Sequence, residues 1–289
     1  NLPRLGVLSE SKQELFDRLK KQMILAKESL EIKRKVLEQY TLLGLYPYSK
    51  HYLDGIYARF NKYWSNHFST IGLIGMNECL LNFLEKDITS EEGRAFAIEI
   101  MDFMRSVITE FQEETGNLFN LEATPGEGTS YRLANIDKKK FSEIIVANEK
   151  VWQKNRKIAP YYTNSTQLPV NFTDDLFSAL DIQDGLQTKY TGGTVFHIFL
   201  GERAPDTASV KNLVKKIAYG YHLPYFTLSP TFSICPNHGY IAGEKHKCSE
   251  CQAECEVYAR IVGYIRPIQN WNDAKKAEFT DRRLFNMII

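Results

Sequence analysis

Four residues with metal-binding side chains fall in two pairs, Cys235-Pro-Asn-His238 and Cys248-Ser-Glu-Cys251. Tetrahedral zinc takes four nitrogen or sulfur donors from two short turns, and each pair supplies two donors at that spacing. Gly239 and Gly243 permit tight turns around them. Cys255 is a further candidate that could replace His238. With all four positions filled, no coordination site stands open for a reacting water, so the pattern points to structural rather than catalytic zinc. Only Cys79 of the five cysteines lies outside 235–255. Such clustering, in a chain without a secretory signal, favours a metal over disulfides and implies a reducing cytoplasm.

A second candidate is the segment Ala123-Thr-Pro-Gly-Glu-Gly-Thr-Ser130. It follows an apolar run of strand length. The hydroxyls of Thr124, Thr129 and Ser130 and the open amides at Gly126 and Gly128 could hold phosphate oxygens. The same residues also suit an ordinary turn. Glu127 sits awkwardly there, since a carboxylate repels phosphate. Asn66 and His67, with Ser69 beside them, form a polar stretch that could meet a substrate. His197, on an apolar strand, reads as a core histidine with its hydrogen bonds met. Gly263 sits in Val257-Tyr-Ala-Arg-Ile-Val-Gly-Tyr-Ile-Arg-Pro267. Taken alone, such a glycine marks a backbone position with φ > 0.

The elements that must position these groups alternate. Apolar residues recur at helical spacing over 10–42 and again over about 90–115, where Asp87 to Glu92 supply an N-terminal cap and Thr115-Gly116-Asn117 a stop. Residues 206–219 read as another helix. Short apolar runs at 70–74, 118–123, 194–200 and 225–228 read as strands. The alternation predicts an α/β fold with mostly parallel strands. From about 231 the composition turns to Cys, His, Gly and Lys, which places a small zinc module there, ending near 255.

Several longer motifs carry a family resemblance. They are Gly44-Leu-Tyr-Pro-Tyr-Ser-Lys50, Asn66-His-Phe-Ser-Thr-Ile-Gly72, Gly75-Met-Asn-Glu78, Asn120 to Ser130, Tyr162-Thr-Asn-Ser165, Tyr190-Thr-Gly-Gly-Thr194, Arg260-Ile-Val-Gly-Tyr264 and Arg266 to Asn272. In this order, with the Cys/His cluster before Gly263, the chain resembles the C-terminal part of the large catalytic subunit of anaerobic (class III) ribonucleoside-triphosphate reductases. The resemblance implies part of a ten-stranded α/β barrel of the glycyl radical enzyme type. Residues 1–230 would be its second part, 231–255 the zinc module, and 256–289 the radical loop and tail.

The implied reaction is anaerobic reduction of ribonucleoside triphosphates to deoxyribonucleotides. Gly263 would carry the stable radical, because its α-carbon must become planar and a Cβ would crowd that geometry. The loop would be buried away from oxygen, with Val262 and Ile265 as apolar cover, and 255–289 would be mobile to allow activation. Thr124, Gly126, Gly128, Thr129 and Ser130 would receive phosphates, and Asn1 matches a position that faces substrate in some members. Implied partners are a radical-SAM activating enzyme, which brings the S-adenosylmethionine and iron-sulfur cluster, formate or a redox protein as reductant, and a second copy in a homodimer. The resemblance implies that the thiyl-forming cysteine lies upstream of the Asn1-Leu-Pro-Arg4 motif and so outside this chain; consistently, Cys79 reads as packed and the other four cysteines belong to the zinc region. The opening Asn1 to Gly6 likewise reads as the interior of a longer polypeptide. Alternatives are a formate acetyltransferase-like lyase, which generally lacks such a Cys/His module, or a non-enzymatic zinc-ribbon binding module.

Bulk properties narrow the remaining classes. The 289 residues are 43% hydrophobic and 25% charged, as expected of a globular protein. A formal net charge of +1 gives no electrostatic case for nucleic acid or a membrane surface. Lys245, His246 and Lys247 are too few for a nucleic-acid finger. No apolar run reaches the ~18 residues of a membrane span.

Overall fold

The computed structural model describes residues 1–201 and 206–285. Residues 202–205 of the expected barrel segment and 286–289 of the expected tail lie outside the described residues. The helical pattern over 10–42 resolves into α1 (Leu2–Leu8) and α2 (Lys12–Leu42). Ser11 separates them, its side chain accepting from the Glu14 amide at 3.2 Å as an N-cap. Only the first half of α2 packs on the core, through Leu15, Leu19 and Met23. Ile32 and Val36, expected on the buried face, are exposed. Two short helices follow, α3 (Pro47–Tyr52) and α4 (Asp54–Phe60).

Next come β1 (Ser69–Gly72), α5 (Met76–Leu84), α6 (Glu91–Thr115) and β2 (Phe119–Glu122). Ser90 caps α6 by accepting from the Gly93 amide, and Gly116 closes it in the left-handed conformation at φ 67°. β1 and β2 pair in parallel, with Ser69 opposite Phe119 and Gly72 opposite Glu122. Ile71 and Leu121 join Ile100, Met101, Met104, Val107 and Ile108 of α6 in the largest core. Burying side chains of this size contributes about 1.5–3 kcal/mol each.

α1 lies so close to α5 that a Cβ on Gly6 would sit 2.7 Å from the Cys79 carbonyl oxygen. Gly6→Ala must push the two helices apart. We expect it to lower the unfolding free energy by about 1–3 kcal/mol, read from the denaturant midpoint at unchanged m-value.

The chain continues through α7 (Glu127–Lys140), α8 (Glu149–Lys154), α9 (Leu176–Gln187), β3 (Phe196–Leu200), α10 (Thr207–Gly220) and β4 (Phe226–Pro230). β3 and β4 are again parallel, Phe196 opposite Phe226. Leu180 of α9 and Leu213 and Ile217 of α10 pack with Ile198 in a second core. Gly192 and Gly193 join the two parallel pairs. The Gly192 amide donates to the Leu121 carbonyl at 2.8 Å, and the Gly193 carbonyl accepts from Ala123 N at 2.8 Å. A Cβ on Gly192 would lie 2.8 Å from Asn120 Nδ2, so glycine is what permits that approach.

The last part is not parallel. β5 (Phe232–Cys235), β6 (Gly239–Ala242), β7 (Glu256–Arg260) and β8 (Ile265–Pro267) form one antiparallel sheet in the order β6-β5-β7-β8. The parallel strands expected of the helix–strand alternation are confined to the two earlier pairs. β5 pairs directly with β7, so the sheet continues past residue 255. A 3-10 turn (Ile268–Asn270) and α11 (Asp273–Asp281) close the described chain. No helix of the described residues is long and apolar enough to cross a membrane.

Candidate functional site

The C-terminal end of β2 opens toward a cleft. Its walls include Thr124 and Pro125 after β2, Tyr161, Thr163 and Asn164, His197 of β3, Ile261 and Val262 after β7, and Glu278 of α11. The cleft therefore draws on parts of the chain that are far apart in sequence. It places the candidate phosphate turn opposite the Gly263 loop.

The phosphate candidates continue from the cleft into a helix start. Thr124 lines the wall, while Gly126, Gly128, Thr129 and Ser130 run on into the first turn of α7. Gly126 donates its amide to Asn164 Oδ1 at 3.1 Å, and a Cβ there would clash with Ile74 Cδ1. The amides of the first helical turn have no partner within the helix and favour an anion. Thr124, Gly128 and Thr129 are exposed, whereas Ser130 is buried with its hydroxyl turned back to the Glu127 carbonyl. Glu127 is directed to the other loop: its Oε2 accepts from the Tyr264 hydroxyl at 3.5 Å.

Gly263 is the tip of the β7–β8 hairpin, whose turn is closed by Ile261 N donating to Tyr264 O at 3.1 Å. It is not among the glycines with positive φ, and no atom lies within 4 Å of where its Cβ would stand. The backbone and the packing therefore do not require glycine here. Val262 is buried, but Gly263, Tyr264 and Ile265 are exposed. The hairpin turn projects them beyond the sheet, and no described segment covers them.

Side chains add to the strand pairing that holds this loop. Four consecutive carbonyls each accept from one. Arg282 Nη1 donates to Arg260 O at 2.9 Å and Nη2 to Ile261 O at 3.1 Å. His197 Nε2 bonds to Val262 O. Arg260 Nη1 donates to Gly263 O at 2.8 Å. A chain of hydroxyls runs to the other His197 nitrogen. Arg260 Nε donates to Ser229 Oγ at 2.7 Å, Ser229 meets Thr227 Oγ1 at 3.0 Å, and Thr227 meets His197 Nδ1 at 2.8 Å. The Val262 carbonyl can only accept, so the neutral ring carries its proton on Nε2 and Nδ1 accepts from the Thr227 hydroxyl, which leaves Thr227 Oγ1 to accept from Ser229.

Burial lowers the His197 pKa to about 4, only partly opposed by its bond to the Val262 carbonyl. The ring stays neutral in the fold while the unfolded chain takes up a proton near the ordinary 6.5. The unfolded state thus binds more protons between these values, and stability falls as pH drops from about 6.5 to about 4. His197→Gln is expected to lack that component. The stability difference between wild type and variant should shrink across this window, as measured by paired denaturant titrations.

His197 is the site residue that the sequence left as a core histidine. It is half-buried and hydrogen-bonded on both nitrogens, as expected, but its partner is the radical-loop candidate and it lines the cleft.

The metal candidates converge. One ligand atom from each of Cys235, His238, Cys248 and Cys251 lies within 4.8 Å of all the others. Zinc–sulfur bonds of about 2.3 Å in a tetrahedron require ligand separations near 3.8 Å. Cys235 Sγ stands 3.6 Å from Cys251 Sγ and 3.8 Å from His238 Nδ1, and Cys248 Sγ is 3.4 Å from the same nitrogen. Three thiols and an imidazole in this arrangement fit zinc. Cys255 packs beside them, but its sulfur is directed to the Ala253 carbonyl and is not in the group. The Asn237 side chain and the Ala253 amide lower the Cys251 pKa to about 6, favouring the thiolate a metal needs. His238 Nε2 lies 3.4 Å from Glu250 Oε2, an outer carboxylate of the kind that orients a ligand imidazole.

Other sequence candidates stand apart. Asn1 donates to Asp137 Oδ2 at 2.8 Å, in a cluster with Arg4 and Tyr162, and its Oδ1 is buried without a partner. It lines a neighbouring cavity with Gly72, on which Thr124 packs. Asn66 and His67 bond to one another at 2.9 Å before β1, at the opposite end of the parallel pair from Thr124. They do not line the cleft.

The family model for anaerobic ribonucleoside-triphosphate reductases matches residues 1–285. The chain belongs to this family. It is 25% identical over 306 residues to the reductase of Haemophilus influenzae, covering 98% of this chain and 41% of that protein. It is also 25% identical over 228 residues to the reductase of Salmonella typhimurium, covering 74% and 30%. The chain thus spans less than half the length of these curated relatives. Among solved structures it is similar to the anaerobic ribonucleotide reductase of Thermotoga maritima with glycerol in its active site. The TM-score is 0.75 at 25% identity, over 96% of this chain and 43% of that one. A structure of the Thermotoga enzyme with dATP and CTP superposes with a TM-score of 0.73 at 24% identity, which speaks for the shared fold.

Proposed function

We propose that this chain is the C-terminal part of the catalytic subunit of an anaerobic reductase. That subunit converts ribonucleoside triphosphates to 2′-deoxyribonucleoside triphosphates, with a stable radical stored at Gly263. One observation carries the reading: a single cleft is lined both by Thr124 and Pro125 of the turn before α7 and by Ile261 and Val262 at the end of β7. A phosphate-bearing substrate seated at the turn brings its ribose toward the loop. In this reading the two parallel strand pairs are arcs of a ten-stranded barrel, residues 1–230 complete its second part, and 256–289 form the radical loop and tail. Zinc, held by Cys235, His238, Cys248 and Cys251, stiffens the sheet that carries Gly263.

The thiyl radical needs a cysteine in the cleft, and Cys79 is unsuited to it. It is fully buried on α5, and burial pushes its thiol up to about 12. We therefore assign that role to a cysteine outside residues 1–289, so the fragment alone should not turn over. The remaining participants are a radical-SAM activating enzyme, formate or a redox protein as reductant, and a second copy of the subunit, all in the cytoplasm. The test is product formation. The intact protein, activated anaerobically, should convert each ribonucleoside triphosphate to its deoxy form; no deoxynucleotide from a preparation with a competent activase contradicts the reading.

A further inference from the structure

The Gly263 loop is anchored from α11, and the anchor is one residue. Arg282 follows the last turn of that helix and is almost wholly buried, with 2% of its side chain exposed. A buried guanidinium is costly unless it is paired and hydrogen-bonded. Its charge is met by Glu278 Oε1 at 3.0 Å, and Lys275 binds the other carboxylate oxygen. Its plane lies over the Phe199 ring, 4.0 Å from the centroid. The two terminal nitrogens then reach the successive carbonyls of Arg260 and Ile261, where β7 ends and the loop begins. A planar fork can satisfy two adjacent carbonyls at once; a lysine ammonium on a flexible stem cannot hold that geometry.

We propose that Arg282 is a positioning residue for the radical loop: it clasps the base of the loop to α11, so that Gly263 can leave its place only when α11 or this fork gives way. The proposal rests on the reading of Gly263 as the radical site for its purpose, but not for the clasp itself. The chemistry of the neighbours supports the assignment. Glu278 lines the cleft, and the helix that carries it closes that wall. The same Arg282 thus fixes the loop and one side of the substrate space. Release of the loop requires breaking both Arg282 bonds and the His197 bond to Val262. This ties access to Gly263 to the movement of α11 rather than of the hairpin alone.

Arg282→Lys keeps the charge next to Glu278, and Lys275 still pairs with that carboxylate, so the variant should fold. Hydrogen exchange over 258–266 in the intact protein should be about thirtyfold faster in Arg282→Lys, from the loss of two hydrogen bonds. Exchange in α6 should not change. In wild type under mild denaturant, 258–266 and 273–281 should open together. Equal loop exchange in variant and wild type, or a loop that opens well before α11, overturns the clasp. Electron paramagnetic resonance after activation separates the two claims. With Gly263 as the radical site, the radical should form in both proteins and decay several-fold faster in Arg282→Lys. A faster-exchanging loop with no radical in either protein sinks the radical reading and leaves the clasp standing. Equal decay with equal exchange sinks the clasp alone.

Discussion

Gly263→Ala is expected to fold as well as wild type and to lose reductase activity completely. The two halves of that statement come from different observations. A methyl group at Gly263 meets no atom within 4 Å, and its backbone is not in the left-handed region. The change in stability should therefore stay within about 0.5 kcal/mol, as for a surface substitution away from special features. In the proposed reading, activity depends on removing one α-hydrogen and flattening the α-carbon between two peptide groups, which a Cβ opposes. Turnover should drop by at least about four orders of magnitude, since enzymic accelerations start near 10⁶. Thermal unfolding and an anaerobic turnover assay on the same preparation check both halves. A glycine required only by backbone geometry would show the reverse, a less stable protein with normal activity per folded molecule.

Loss of the metal should come next in size. Cys248→Ser removes a buried thiol from the four-ligand group, and β5, β6 and β7 converge on that group. In small modules a structural zinc contributes about 10 kcal/mol or more to folding. We expect zinc content to fall from about one per chain to a small fraction in Cys248→Ser. Proteolysis should become faster between 231 and 267, and the radical signal should disappear with it, because β7 carries the loop. Cys255→Ser should keep its zinc and lose about 1 kcal/mol, since Cys255 packs beside the ligands without joining them. Metal analysis of the two variants decides between His238 and Cys255; full zinc in Cys248→Ser would remove the site from this account.

Much of this was open to sequence reading because the signals were local. Apolar runs near 70, 120, 196 and 226 became β1 to β4, and the capping residues before Glu91 set the start of α6. Cys-x-x-His and Cys-x-x-Cys spacing selected the four residues whose ligand atoms converge. What was hidden depended on contacts across the chain. The charges of Lys275, Glu278 and Arg282 carry no local signal of burial, yet all three side chains are nearly inaccessible. His197 gave no hint of Val262, 65 residues away. The antiparallel run of β5 through β8 was masked because the shift to Cys and Gly looked like a boundary, whereas β5 and β7 bond directly across it.

The most direct measurement is electron paramagnetic resonance of the intact protein, activated without oxygen by its radical-SAM partner, in normal and in α-deuterated glycine medium. A radical on Gly263 keeps one α-hydrogen, so the account predicts a doublet that collapses on deuteration, followed by backbone cleavage at Gly263 when air is admitted. A zinc-loaded protein with a competent activase that gives no doublet and no cleavage at Gly263 would contradict it.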